Sequence, residues 1–493
     1  MRKIVAAALL LGCCLPAVAT ADSWTVGPQP KVLPLDRFPV LGDGSDDRGG
    51  RAPYLDLMPP DIPTNGYQLG DFSIQDSAVK ALSAAQGGTE AKMRTVCGAP
   101  SHYLRDDPVL YPGMPGMSHL HAFFGNTMTN ANSTYRSLRT TGRSNCGGDV
   151  FNRTAYWPPA VKVTVNGRDM ILPYDQFIVY YKNEMADAKH SSDIPRDFAY
   201  VAGPDPHVGY VDQNKAVVDQ ANADAIAQGK PMRYSFMPTP MGTPNYGYLG
   251  VKCENPIGDG TTQYSPNKGA GSRQPYLKDA SGNSTLLCNP TMPDGSPAHL
   301  VLEFNAPGCW DGRNGHGGPT GRGHVNMPFV ATNIVTGETR LNQCFDKQYR
   351  IPGLEMTAYV PIPGSWANFL SLSPRLSSDE QAGYGYLPFQ TGHLDWFGAW
   401  DYGTEANKGV MLRWMRNCAG TMGATPHECD YSTIDLTTRL LSDSSIPTVQ
   451  PNYKDAPGSI RNGRIVDNIH NFATQGARGF IPLPTGPATL HVH

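Results

Sequence analysis

The residues best placed to do chemistry are histidines two apart. In Ser118-His119-Leu120-His121-Ala122-Phe123-Phe124-Gly125 that spacing would put both imidazoles on one face of a strand, because strand side chains alternate. A chelating imidazole pair on a rigid strand is a common way to hold a borderline metal ion. The spacing recurs as His393-Leu394-Asp395, which offers one more nitrogen and a carboxylate. His324, after the glycine-rich run from Asn314 to Gly323, is a further candidate. The expected metal ligands are therefore His119, His121, His324, His393 and Asp395. Three or more imidazoles with one carboxylate suit a divalent transition metal (Zn, Mn, Fe or Cu) and not calcium or magnesium. Against this stands chance: the chain has thirteen histidines, and the terminal His491-Val492-His493 reads as a frayed end.

Tryptophan beside aspartate is the second pattern. Trp310-Asp311, Asp395-Trp396 and Trp400-Asp401 place a flat apolar ring next to a carboxylate three times, in a chain with seven Trp. Polysaccharide chemistry needs rings on which sugars stack and carboxylates that move protons. Asp311, Asp395 and His121 are the expected catalytic residues, and Trp310, Trp396, Trp400 and Tyr156 the expected substrate-binding ones. For each Trp-Asp pair alone, a core ring next to a turn-capping carboxylate is the simpler explanation. Other templates are missing from the sequence: no Gly-x-Ser-x-Gly elbow, no Walker loop, no His-Glu-x-x-His and no dinucleotide fingerprint. No nucleotide cofactor is expected.

These residues need a frame. Val161 to Val165 alternates, Asn166-Gly167 turns and Met170 to Leu172 returns, which predicts a hairpin. Phe177 to Tyr181, His299 to Phe304, His324 to Val330 and Glu355 to Val360 also read as strands. Helices are expected over Ile74 to Gln86, Asp212 to Gln228 (stopped by Gly229) and Glu405 to Cys418. Gly and Pro together make up about a fifth of the chain, near twice ordinary usage, and they are interleaved with aromatics. The expected fold is β-rich (all-β or α+β), a sandwich or jelly-roll-like antiparallel core with long Gly/Pro-rich loops and a few short helices.

The N-terminus carries Arg2 and Lys3, an apolar run from Ile4 to Leu11, and the small-residue stretch Ala17-Val18-Ala19-Thr20-Ala21. That is a secretory signal, so the protein is expected outside the cytoplasm, secreted or periplasmic. Leu10-Leu11-Gly12-Cys13 also resembles a lipobox, which would tether the chain through Cys13. Of ten cysteines, eight lie beyond this leader, an even number that reads as about four disulfides, most simply between sequence neighbours. Cys418 with Cys429 closes the shortest loop. The net charge is -3 and no basic cluster occurs, so nucleic acid is not an expected partner. No later segment has the unbroken apolar length of a transmembrane helix. The expected organisation is a signal peptide (1–21), a Pro/Gly-rich arm (22–90), a main domain (91–402) and a C-terminal extension (403–493).

Taken in order, these blocks resemble the secreted fungal and bacterial proteins grouped as domain of unknown function 1996. The resemblance runs from about Cys97 to Asp401. It is carried by Ser118-x-His119-x-His121-x-Phe123-Phe124-Gly125, Ala155-Tyr156-Trp157-Pro158-Pro159-Ala160, Phe304, Cys309-Trp310-Asp311-Gly312, His324-Val325, and His393-x-Asp395 leading to Trp400-Asp401. Here Gly147-Gly148 stand where the family often has a second cysteine, Trp396 where it has Phe, and Ala399 where it has Gly. Some fungal relatives look to be fused to wall-associated modules, which implies a glycan setting by association only. The resulting expectation is an exported hydrolase or lyase acting on extracellular or cell-wall polysaccharide through a His/Asp site. The alternative is a non-catalytic surface or wall-binding protein with structural or metal-binding histidines.

Overall fold

The structure is a computed structural model. It describes residues 91–146, 152–183, 194–203, 213–236, 249–257, 286–318, 321–345, 348–380 and 388–400. It also describes short pieces at 54, 57–60, 62, 460–461, 464–465, 480–483 and 490–491. The signal, the helices expected over Ile74 to Gln86 and Glu405 to Cys418, and the Cys418–Cys429 pair lie outside the described residues.

The frame is β-rich, with several antiparallel sheets and few short helices. The longest strands are rich in β-branched and aromatic residues, which suit a pleated buried surface. They form a five-stranded sheet in the order Ala91–Cys97, Gln176–Asn183, Gly353–Pro361, His299–Asn305, Leu249–Cys253. A second, six-stranded sheet runs Leu490–His491, His102–Leu104, His121–Gly125, Ala155–Trp157, Leu394–Phe397, Ala199–Ala202. The sheets meet through aromatic side chains. Phe124 stacks on Phe177 with ring centroids 4.6 Å apart, and the Tyr156 and Tyr181 hydroxyls are hydrogen-bonded at 2.7 Å. Trp400 Nε1 donates to the same Tyr181 oxygen at 2.8 Å, so the buried polar tips are satisfied within the core.

Alternation along the six-stranded sheet decides where the site falls. Phe124, Tyr156, Trp396 and Tyr200 are cross-strand partners and share the core-facing side. Asp395, paired with Trp157 and Val201, belongs to the opposite side.

The hairpin forms as expected, Val161–Val165 with Arg168–Ile171, turning through Asn166 and Gly167 at φ 51° and 73°. Those positive values are the ones a type I′ turn requires. The helix Gln213–Ala227 also forms, ahead of Gly229 at φ 62°. One expected strand is corrected. His324 to Val330 divides into Val325–Asn326 and Phe329–Asn333, which belong to different sheets. Pro328 interrupts it, having no N–H for a ladder. Among the described residues three disulfides join sequence neighbours, Cys97–Cys146, Cys253–Cys288 and Cys309–Cys344. No helix among the described residues is long and apolar enough to cross a membrane.

Candidate metal centre

His121 opens the strand His121–Gly125, and its backbone is clamped on both sides. Ala122 N donates to Pro158 O at 3.0 Å, and Ala160 N to Leu120 O at 2.8 Å. His393 immediately precedes the strand Leu394–Phe397. It packs so closely on Gly203, at φ 137°, that a Cβ there would sit 2.4 Å from the His393 Cβ. Only glycine permits both that φ and that approach. His119 lies two residues before the strand start, so the His-x-His pair straddles a strand end and does not lie within one strand.

Residues far apart in the chain meet here. Ring centroids are 4.2 Å apart for His119 and His121, 4.9 Å for His119 and His393, and 6.0 Å for His121 and His393. One potential ligand atom from each of the three lies within 4.8 Å of the others, and the same holds for Asp107, His121 and Asp395. His121 belongs to both groups. Asp395 Oδ2 is 3.4 Å from His121 Nε2 and 4.0 Å from His393 Nε2. His121, His393, Asp107 and Asp395 are buried; His119 is half-buried and forms the more open edge.

Where the ring protons go fixes where the lone pairs point. His121 Nδ1 is 2.9 Å from the Asp106 carbonyl, and His393 Nδ1 is 2.7 Å from the Thr391 carbonyl. A carbonyl can only accept, so each Nδ1 donates, and in a neutral ring Nε2 then carries its lone pair on the side of Asp395. Such a carbonyl behind each ring is the usual backing of a metal-ligating histidine. His121 Nε2 and both Asp395 oxygens have no hydrogen-bond partner among the described residues. Buried acceptors facing one another are costly unless a cation or proton lies among them.

Electrostatics agree. Burial lowers the His121 pKa to about 3, so the ring is neutral at any ordinary pH. Burial, reinforced by the neighbouring Asp107, raises Asp395 well above the usual carboxylate range, and Arg322 opposes this. Asp107 is likewise raised by burial to about 6, although its Oδ1 accepts from Val109 N and Leu110 N, both at 2.8 Å. The buried Arg322 donates from Nε to Gly203 O at 2.9 Å, which ties this cation to the backbone behind His393.

The other expected site residues go elsewhere. His324 is buried against Phe198, ring centroids 5.0 Å apart, and does not join the group; burial and the nearby His316 lower its pKa to about 3. Asp311 caps the glycine-rich turn, accepting from Arg313 N at 2.8 Å, Asn314 N at 3.1 Å and Asn314 Nδ2 at 2.8 Å. Those bonds hold the turn, and Asp311 lies outside both groups of potential ligands. The sugar-stacking expectation is corrected at all four rings: Trp310, Trp396, Trp400 and Tyr156 are each 0% exposed. A ring with no exposed face cannot stack on a saccharide. Asp107 is the residue that sequence reasoning missed. Its only signal is an acidic residue before Pro108, which resembles any surface turn.

A family model described as Domain of unknown function (DUF1996) matches residues 107–400, a span that begins at Asp107 and takes in every residue of the cluster. No curated protein matches, and no solved structure matches.

Proposed function

The chain belongs to the DUF1996 family, and on that premise we propose that it is an exported metal-dependent enzyme, a hydrolase or lyase of extracellular or cell-wall polysaccharide. The observation that carries the metal part is the facing of lone pairs. The Nε2 atoms of His121 and His393 are turned toward Asp395 in a buried space, each with its Nδ1–H already committed to a carbonyl. Three imidazoles and a carboxylate fit a divalent transition ion such as Zn, Mn, Fe or Cu.

A bound ion would supply Lewis acidity, polarising a substrate oxygen or acidifying a water. His119, His121 and His393 would hold it, with Asp395 completing the set. Asp107, beside Asp395 and with Oδ1 held by two backbone amides, would hold or move a proton at its Oδ2. Substrate would approach from the half-buried His119 edge, next to the loop that exposes Met114 and Met117. The polysaccharide part of this reading rests on the wall-associated setting that the family resemblance implies, because the four buried rings no longer support it. The disulfides are compatible with an oxidising, extracellular setting.

One observation favours a second reading. His121, His393, Asp107 and Asp395 are almost wholly buried, as in a centre that stores or is stabilised by metal without turning over substrate. A panel of wall polysaccharides, assayed with chelator and after re-addition of each metal, separates the two. The enzyme reading expects new sugar ends that vanish with chelator and in His121→Ala. Full metal occupancy with no product from any glycan would favour the storage reading.

A further inference from the structure

Both ring-backing carbonyls belong to loops that are themselves held by a buried carboxylate. Asp106 supplies its own carbonyl to His121 Nδ1, while its side chain accepts from Gly116 N through Oδ1 and from Ala131 N through Oδ2, each at 3.0 Å. On the other side, Asp379 gathers the segment before His393. Its Oδ2 accepts from Leu376 N at 2.8 Å and Phe389 N at 2.7 Å. Its Oδ1 accepts from Thr391 N at 3.0 Å and the Thr391 hydroxyl at 2.8 Å. Thr391 is the residue whose carbonyl receives the His393 proton. Within this grip Phe389 is held at φ 65°, a left-handed conformation that an aromatic residue adopts only when its surroundings impose it.

We propose that Asp379 and Asp106 are positioning residues, paired outer braces that fix the Nδ1–H tautomer and ring orientation of His393 and His121 respectively. The inference rests on the metal-centre reading for its purpose, not for its geometry. Neither carboxylate belongs to the groups of potential ligands. Each acts through one backbone carbonyl: Asp379 by pinning Thr391, Asp106 by pinning the loops through Gly116 and Ala131 that flank its own peptide. An ordinary turn-capping carboxylate would satisfy one or two amides. Asp379 satisfies four donors on Leu376, Phe389 and Thr391, which draws these three residues together directly before His393.

The test uses the full chain and two readouts. Cobalt(II) binding, followed through its visible absorption, reports affinity and ligand geometry. Long-range 15N–1H NMR of histidine-labelled, metal-free protein reports ring tautomers. Asp379→Asn places an amide N–H among amide donors. The expectation is a 10- to 100-fold loss of cobalt affinity, typical of outer-shell changes, a shifted cobalt spectrum, and a mixed tautomer at His393. Asp106→Asn should do the same at His121. Asp175→Asn, another buried carboxylate, bound to His299 and outside the cluster, is the control for general destabilisation and should bind cobalt like the parent. Parent-like cobalt affinity and unchanged tautomers in Asp379→Asn would overturn the proposal, as would an equal loss in Asp175→Asn. If the parent takes no cobalt while Asp379→Asn still loses the His393 tautomer, the metal reading fails and the bracing survives.

Discussion

A neutral imidazole has one N–H and one lone pair, and committing the first aims the second. That single fact gives His121 and His393 their roles: carbonyls at Asp106 and Thr391 take the protons, and the lone pairs converge on Asp395. His121→Ala should therefore lower zinc affinity by more than about 100-fold, beyond the usual effect of an outer-shell change, as read by competition with a chromogenic chelator. His324→Ala should lower the thermal midpoint yet bind zinc as the parent does, since that ring packs on Phe198 away from the cluster. The His-x-His and His-x-Asp spacings were legible through strand alternation, although His119 and His393 prove to lie just ahead of the strands that carry His121 and Asp395. The same alternation contained the correction at Trp396. A residue next to Asp395 on a strand must face the other way, so the two could never line one cleft together. Trp310 and Asp311 misled differently: the ring went to the core and the carboxylate to the turn, as the simpler explanation of a Trp-Asp pair holds.

At the scale of elements, the site depends on close approach between strands and loops from opposite ends of the chain. Gly203, just after the strand Ala199–Ala202, lets the backbone touch His393. In Gly203→Ala the new methyl group would lie 2.4 Å from the His393 Cβ, at a φ of 137° that L-residues avoid. Displacing the ring should cost zinc about 10- to 100-fold in affinity, comparable to loss of an outer-shell contact, with retained disulfides checked by mass spectrometry. Calorimetric titration decides it, and unchanged affinity would show that the contact is incidental. Strand existence was readable from composition and alternation, as the hairpin at Asn166-Gly167 shows. The break at Pro328 was readable too, since proline cannot sit inside a ladder. Pairing partners were not readable, because nothing local says that Asp395 will lie beside Trp157. Nor was Asp107, which reaches the cluster by tertiary folding alone.

For the whole molecule, the second charged centre matters to stability. His299 is buried between Asp175 and Glu254, with Nε2 3.2 Å from the former and Nδ1 2.6 Å from the latter. Burial alone would lower its pKa, but the hydrogen bonds to these carboxylates hold it up to about 9. The folded value lies above the unfolded one of about 6.5. Its contribution is thus complete below about pH 6.5 and lost as the pH rises toward 9. Thermal midpoints measured across that window should fall in the parent, and the fall should be absent in His299→Gln; parallel curves would refute the assignment. The β-rich, disulfide-linked frame was legible as a class, from composition, cysteine parity and alternation, whereas the tertiary packing that buries the four expected sugar-binding rings was not. Metal binding is decided by elemental analysis of the oxidised chain after loading with zinc, manganese, iron or copper and removal of the excess. Close to one tightly held ion per chain is expected for at least one metal, and next to none for a folded His121→Ala. A parent chain that retains no metal, or a His121→Ala chain that retains as much, would contradict that expectation.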